Sequence, residues 1–385
     1  MGSRGRKVAL VCGRVALAAL SAGVLAVTGI ARAAHDQVQS GLNTTTVLTQ
    51  LAAEPDAPPA DDGATDILLV GDDRRTDANG VPLSASVLRQ LRTEASDGVS
   101  TDTLILLRIP RDGSRGYAVS IPRDTSVPIP GWREDKINSA YGAVKYLTAQ
   151  RLRAAGERDE DKVERESEAA GRKALVESVQ DLTGLRVDHY AEVGLYGFYL
   201  LSKAIGGVDV CLLAPTSDPD SGANFRSGHQ LVSGGDALSF VRQRKNLPNG
   251  DLDRIVRQQT FLASAAKKVL SAGTLLDPGK LSALMGAVQK SVVLDAGWDV
   301  LAFVQQAQSL AGGNVDFVTI PVVNSNGTNE RGQSVVVVDP NAVKQFAAGL
   351  AHGTPVGLTA GPALRLNAAP ARQEPISING TRCVN

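Results

Sequence analysis

Arginine and aspartate cluster in this sequence where apolar runs begin or end, and together they are the parts of a phosphate-handling site. The first cluster is Gly71-Asp72-Asp73-Arg74-Arg75, directly after the run Ile67-Leu68-Leu69-Val70. The second, Thr101-Asp102-Thr103, opens a run reaching Ile109, and the third, Ile121-Pro122-Arg123-Asp124, closes the next run. Loops at strand ends are where α/β folds assemble ligand sites. Asp73 and Asp102, brought together from neighbouring strands, suit a hard divalent cation such as Mg²⁺, which takes oxygen ligands. The bland alternative is turn and cap chemistry, for which Asp is a common residue.

The densest cluster is Arg242-Gln243-Arg244, followed by Asp251 and by Arg254-Ile255-Val256-Arg257-Gln258. Arg254 and Gln258 are four apart and share one face of a helix. Asp251 is expected at that helix's N-cap. Guanidinium groups converging without matching acids repel one another, so the cluster predicts a bound anion. Planar bidentate donors suit phosphate oxygens, and a pyrophosphate offers enough of them. The alternative is a solvated basic helix face. A divalent cation opposite an arginine cluster is the equipment of phosphoryl transfer.

Other chemistries lack their parts. There is no Walker loop, no Gly-x-Ser-x-Gly elbow and no zinc-spaced His/Cys set, and His35, His189, His229 and His352 are scattered. Forty basic residues balance 40 acidic ones over 385 residues, which excludes a general nucleic-acid binder, since that needs excess cations.

The elements that must position these residues alternate. Short apolar runs at Ile67–Val70, Thr103–Ile109, Tyr117–Ile121, Tyr190–Val193, Val208–Leu212, Val315–Ile320 and Val335–Val338 read as strands. Helical spacing covers Leu83–Leu91, Leu175–Leu182, Leu195–Ile205, Gly235–Arg244, Leu252–Leu270, Leu281–Val292, Val300–Leu310 and Pro340–Leu350. The charge-dense stretch Gln150–Lys173 is read as a solvated helix face without catalytic role. The pattern predicts a three-layer α/β/α domain with a mixed central sheet, over residues 65–352.

Arg4, Arg6 and Lys7 precede an apolar stretch from Val8 to Ile30 broken only by Arg14, long enough to span a bilayer. Residues 1–33 are therefore expected to form a single signal-anchor helix holding the rest outside the cytoplasm. Cleavage at Ala31-Arg32-Ala33 is the alternative, and it gives the same compartment. Residues 34–64, with Pro55, Pro58 and Pro59, are expected to be a linker, and residues 353–385 a tail loosely packed apart from a tether at Cys383. Cys12 lies in the apolar stretch, which leaves Cys211 and Cys383 as a pair that an oxidising compartment permits to bond. Two separate buried thiols are the other possibility.

These segments resemble the LytR-CpsA-Psr family from roughly Asp66 to Pro321. Lys136-Ile137-Asn138-Ser139-Ala140-Tyr141-Gly142 and Gly206-Gly207-Val208-Asp209-Val210 add to the match, and the block Phe240 to Phe261 closes it. The resemblance implies a transferase on the outer side of the cell membrane, moving a glycopolymer from a polyprenyl-pyrophosphate carrier to peptidoglycan. It implies Mg²⁺ on Asp73 and Asp102, with one of them as base, and Arg123 and Arg254 at the reacting phosphate. Arg75, Arg123, Arg242, Arg244, Arg254, Arg257 and Gln258 would hold the pyrophosphate, with Lys136 a further contact. It also implies a Cys211–Cys383 disulfide. Where many members carry an Arg two positions before the second metal-binding Asp, this chain has Ser100, so one phosphate contact is expected either to be missing or to be supplied elsewhere, by Arg74 or Arg111. A lipid-pyrophosphate hydrolase or a non-catalytic polyprenyl carrier would use the same residues.

Overall fold

A computed structural model describes residues 41–385 apart from 56, 60, 61, 79, 97, 249, 272, 274–276, 300–302, 304–314, 351–375 and 378–381. The expected anchor, and all but one residue of the expected helix at Val300–Leu310, lie outside the described residues. Among the described residues no helix is long and apolar enough to cross a membrane.

The described chain begins with β1 (Asn43–Thr45), α1 (Val47–Ala52), β2 (Ala64–Asp72), α2 (Ala85–Gln90), β3 (Thr101–Pro110) and β4 (Gly116–Ile121). A hairpin of β5 (Ser126–Pro128) and β6 (Glu134–Lys136) leads into α3 (Ala140–Ala154), α4 (Glu160–Thr183), β7 (His189–Val193) and α5 (Leu195–Ala204). Then come β8 (Val208–Leu212), β9 (Thr216–Asp218), β10 (Ala223–Phe225), β11 (Gly228–Val232), α6 (Gly235–Arg242), α7 (Asp251–Val269) and α8 (Pro278–Ser291). Last are β12 (Val292–Asp295), β13 (Val315–Thr319), β14 (Asn324–Thr328), β15 (Ser334–Val337), α9 (Pro340–Leu350), β16 (Ile376–Ser377) and β17 (Cys383–Val384).

Eight strands form one mixed sheet in the order β1-β12-β7-β2-β3-β4-β13-β16. β2 and β3 pair antiparallel, as do β3 and β4, while β7 lies parallel to β2 and β13 parallel to β4. Alternation along each strand sorts side chains to opposite faces. Leu68, Leu104, Leu106 and Val119 enter a core with Tyr141 of α3, Leu175 and Val179 of α4 and Val343 of α9. Leu69, Ile105 and Ala191 instead line a cavity on the other face. There α5, α6, α7 and the small sheet β11-β8-β17 close around Val208, Val210, Phe240 and Phe261.

Three expectations change. The predicted linker is partly built into the domain: β1 pairs with β12, and Val47 and Leu51 of α1 are buried in the main core. The charged stretch is broken at Gly156 (φ +95°), and its Glu168 and Arg172 turn inward rather than to solvent. The tail has a second anchor besides the expected tether at Cys383. β16 adds to β13, while β17 adds to β8 with Cys211 and Cys383 joined sulfur to sulfur across a Cα separation of 4.3 Å.

Candidate active site

Antiparallel pairing brings the first two aspartate clusters together, because Asp72 lies opposite Thr101 across β2 and β3. Gly71 permits this closeness: a Cβ there would come within 3.0 Å of the Thr103 Cβ. β4 returns to the same end and delivers Arg123 just past Ile121. From the opposite side, α6 ends at Arg242, and Gly250 (φ +55°), a backbone state that favours glycine, turns the chain into α7. Arg254 and Gln258 lie one turn apart on α7, as their spacing predicts. The result is one cavity of about 770 Å³ with Asp73, Asp102, Arg123, Arg242, Arg244, Arg254 and Gln258 in its wall. The rest of the lining is mostly apolar, from Leu69 and Ile105 of the sheet to Phe198, Phe261 and Leu284 of the covering helices.

The guanidinium groups are not without acids, which corrects the expectation from sequence. Arg123 bonds to Asp102, Arg75 pairs with Asp73 at 3.0 Å, and Arg254 with Asp251 at 2.7 Å. Arg242 has no carboxylate partner among the described residues and donates to the Leu91 carbonyl at 3.4 Å. Burial holds Arg242 and Arg254 below the usual guanidinium range, with neighbouring Arg75 and Arg123 pushing the same way. Burial likewise raises the Asp73 carboxyl, and the charge of Asp102 adds to it. A cation between Asp73 and Asp102 would relieve that repulsion, so the pair fits Mg²⁺. An anion would relieve Arg242 and Arg254.

Several residues read from sequence sit elsewhere. Arg257 is fully buried behind the site, donating to the Gln243 side chain at 2.7 Å and to the Asn385 carbonyl, with its guanidinium over the Phe240 ring. Three residues from Arg254, it falls on the flank of α7 that the C-terminus covers. Lys136 is outside the cavity wall and pairs with Asp124 at 3.1 Å. Arg75 also stands outside that wall, beside Asp73 and bonded to Thr93 and Glu94. Neither residue expected to stand in at Ser100 reaches the cavity. Arg74 is buried against Asp72, Glu168 and Glu192, and Arg111 follows the far end of β3. Asp251 is not a cap: it is the first residue of α7 and makes no capping bond. Its carboxylate oxygens are buried at the cavity wall with no well-aligned hydrogen bond.

Residues 24–351 match the LytR_cpsA_psr family. The chain belongs to that family. Over 287 residues it is 53% identical to the cell wall biosynthesis protein LcpA of Corynebacterium glutamicum, covering 74% of this chain and 55% of that protein. The probable cell wall biosynthesis protein LcpB of the same organism is 32% identical, over 72% of this chain and 59% of its own length. The chain thus spans little more than half the length of these relatives. Among solved structures, a LytR-Csp2A-Psr enzyme from Actinomyces oris superposes with a TM-score of 0.54 at 17% identity, covering 80% of this chain and 95% of that one. TagV of B. subtilis gives 0.53 at 20% identity, covering 76% and 98%. These likenesses establish the mixed α/β fold of the family.

The family segments account for the polar end of the cavity, but not for all of its rim. Asp218, Asp220 and Ser221, from the connection between β9 and β10, and Lys245 also line it. Asp218 accepts from the backbone of Arg244 at 3.2 Å, tying that loop to the arginine cluster. Three-residue strands leave too short a pattern to be seen in sequence. The apolar wall had a signal in the run Leu195-Tyr196-Gly197-Phe198, apolar on more than one helix face.

Proposed function

We propose that this chain is a phosphotransferase that moves a glycopolymer from a polyprenyl-pyrophosphate carrier to peptidoglycan, releasing polyprenyl phosphate. The proposal places it at the outer face of the cell membrane. The observation that carries it is the joining of a long apolar cavity to a polar end built from four arginines and paired carboxylates. An apolar chain bearing two phosphates has this distribution of chemistry. TagU relatives named as polyisoprenyl-teichoic acid–peptidoglycan teichoic acid transferases point the same way; one from Oceanobacillus iheyensis is 31% identical over 48% of this chain.

In this reading the acceptor hydroxyl oxygen attacks the phosphorus bearing the sugar. The bond from that phosphorus to the bridging oxygen breaks, and polyprenyl phosphate leaves with the electron pair. Arg123, Arg242, Arg244 and Arg254 hold the phosphate oxygens and offset the charge that grows on the leaving group. Gln258 is in place to donate a further hydrogen bond. Asp73 and Asp102 are the pair to hold Mg²⁺, which when bound would neutralise charge on the transferring group. With Asp73 and Asp102 given to the metal, Asp251, in the cavity wall beside Arg254, is the carboxylate assigned here to take the acceptor's proton. The apolar wall excludes water from the carrier.

The test is incubation of the full-length chain with a radiolabelled lipid-pyrophosphate sugar and Mg²⁺, with and without peptidoglycan. Label joined to peptidoglycan is the expected product. Release of monophosphate with the sugar only on water would replace the transferase by a hydrolase, and unchanged lipid by a carrier.

A further inference from the structure

The strand directions also define what stands on the far side of the arginine cluster from the cavity. β4 ends at the site, and Arg123 and Asp124 run straight into β5 and β6. β13 runs parallel to β4, with Thr319 opposite Ser120, so β14 and β15 leave the same end of the sheet. The two hairpins are clamped together. Val336 donates to the Asp124 carbonyl at 2.8 Å, Arg331 donates to the Glu134 carbonyl at 3.3 Å, and Arg331 pairs with Asp135 at 2.6 Å. At the other end of this hairpin Lys136 pairs with Asp124, next to Arg123. A rigid ledge therefore starts at a proposed catalytic arginine and extends roughly 10–15 Å to its tip, at about 3.3 Å per extended residue.

Its surface has a definite chemistry. Trp132 at the tip is 37% exposed, and the Arg133 guanidinium lies over its ring, 4.3 Å from the centroid. The neighbouring hairpin adds the exposed Asn326 amide and the Gln333 amide nitrogen Nε2, while Asn329 bonds within the hairpin to Gln333 and Arg331. The exposed charges Arg133 with Glu134 and Glu330 with Arg331 are of both signs, so the ledge has no net field to draw a polyanion. An indole ring offers an apolar body with one polar handle, and amides both donate and accept. Sugar rings ask for that combination, with apolar C–H faces and hydroxyls around the edge. Besides Trp132, Val323 and Val337 of the second hairpin expose apolar side chains, and a lipid or protein partner would ask for more apolar area than these three.

We propose that this ledge is the docking surface for the acceptor's glycan strand. The proposal rests on the transferase reading above. It sets carrier and acceptor on opposite sides of one cluster: the lipid under α5 and α7, the glycan along the two hairpins. Trp132 and Arg331 are positioning residues here, since neither touches the reacting atoms.

The experiment uses the full-length chain, soluble uncrosslinked glycan oligomers from peptidoglycan and the radiolabelled lipid donor. Trp132→Ala is expected to raise KM for the glycan at least about tenfold, with donor KM and the slow release by water unchanged, and Trp132→Phe to restore part of the loss. Arg331→Ala, which unclamps the hairpins, should act in the same direction. A glycan KM within about twofold of wild type in Trp132→Ala would overturn the ledge while leaving the transferase intact. A second measurement needs no turnover. With Trp298→Phe, Trp132 is the remaining tryptophan of the two, and its emission should change saturably as glycan oligomers are added without donor. A flat titration overturns the ledge. A saturable one in a protein that makes no glycan-linked product keeps the ledge and removes the transferase reading instead.

Discussion

Arg254 and Arg257 lie three residues apart on α7 and do different work. Arg254 is 2% exposed, in the cavity wall, paired with Asp251. Arg257 is closed off behind it by Gln243, Phe240 and the C-terminal carbonyl. Arg254→Ala should lower transfer by about 10²–10³, the usual cost of one charge-stabilising donor, with an unchanged circular dichroism spectrum. Arg257→Ala should instead lower unfolding stability by roughly 2–4 kcal/mol, because it strands buried acceptors. Its folded fraction should still bind a short polyprenyl pyrophosphate with wild-type affinity in a calorimetric titration. Equal loss of affinity in both variants would return Arg257 to the binding set. Sequence spacing fixes Arg254 and Gln258 on one face, but Arg257 sits only about a sixth of a turn from Arg254. Whether it faces phosphate or core depends on where residues 383–385 pack, which no local pattern encodes.

At the scale of elements, β2 carries buried charge at both ends. At the site end Asp72, Arg74, Glu168, Arg172 and Glu192 form a closed network through α4 and β7. The sequence hid this, because Glu168 and Arg172 stand in a run of charges that looks solvated throughout. The period of inward positions shows only once α4 is known to start at Glu160. At the other end Asp62 and Asp66 share one guanidinium, Arg108, with Asp66 and Arg108 2.5 Å apart, and Asp188 adds a third carboxylate beside Asp66. Burial, with the charges of Asp62 and Asp188, pushes the Asp66 carboxyl up to about 8 despite Arg108. Its folded value exceeds its unfolded one, so its contribution to stability is fully present below about 4 and is lost as pH rises to about 8. The slope is at most about 1.4 kcal/mol per pH unit for one proton. Denaturant unfolding between pH 4 and 9 should show this fall in the wild type, and Asp66→Asn should flatten it. A wild-type profile already flat across that window would mean Asp66 is ionised in the fold.

At the scale of the whole molecule, the site joins two layers. Asp73, Asp102 and Arg123 come from the sheet, whereas Arg242, Arg244, Arg254 and Gln258 come from the helices that cover it. The order of family segments made this set legible in the sequence, whereas the apolar volume between the layers left only the signal in Leu195-Tyr196-Gly197-Phe198, because its walls come from segments distant in the chain. The pairs within the site set how its ligands will bind. Arg123 holds Asp102 and Arg75 holds Asp73, so in the proposed function Mg²⁺ on the carboxylates would free the Arg123 guanidinium, which lines the cavity, for phosphate. Pyrophosphate taking the guanidinium groups likewise frees carboxylates for the metal. Exchange of partners makes the two ligands help one another, and by linkage each must raise the affinity of the other by the same factor. A polyprenyl pyrophosphate at a hundred times its Kd should stabilise the fold by about 2.7 kcal/mol. For a domain of this size that is roughly 4–5 °C in Tm. The shift with Mg²⁺ and lipid together should exceed the sum of the shifts with each alone. Purely additive shifts would mean that metal and pyrophosphate do not share the pair Arg123–Asp102. Arg123→Gln releases Asp102 in advance, so it should weaken lipid binding while shrinking that excess.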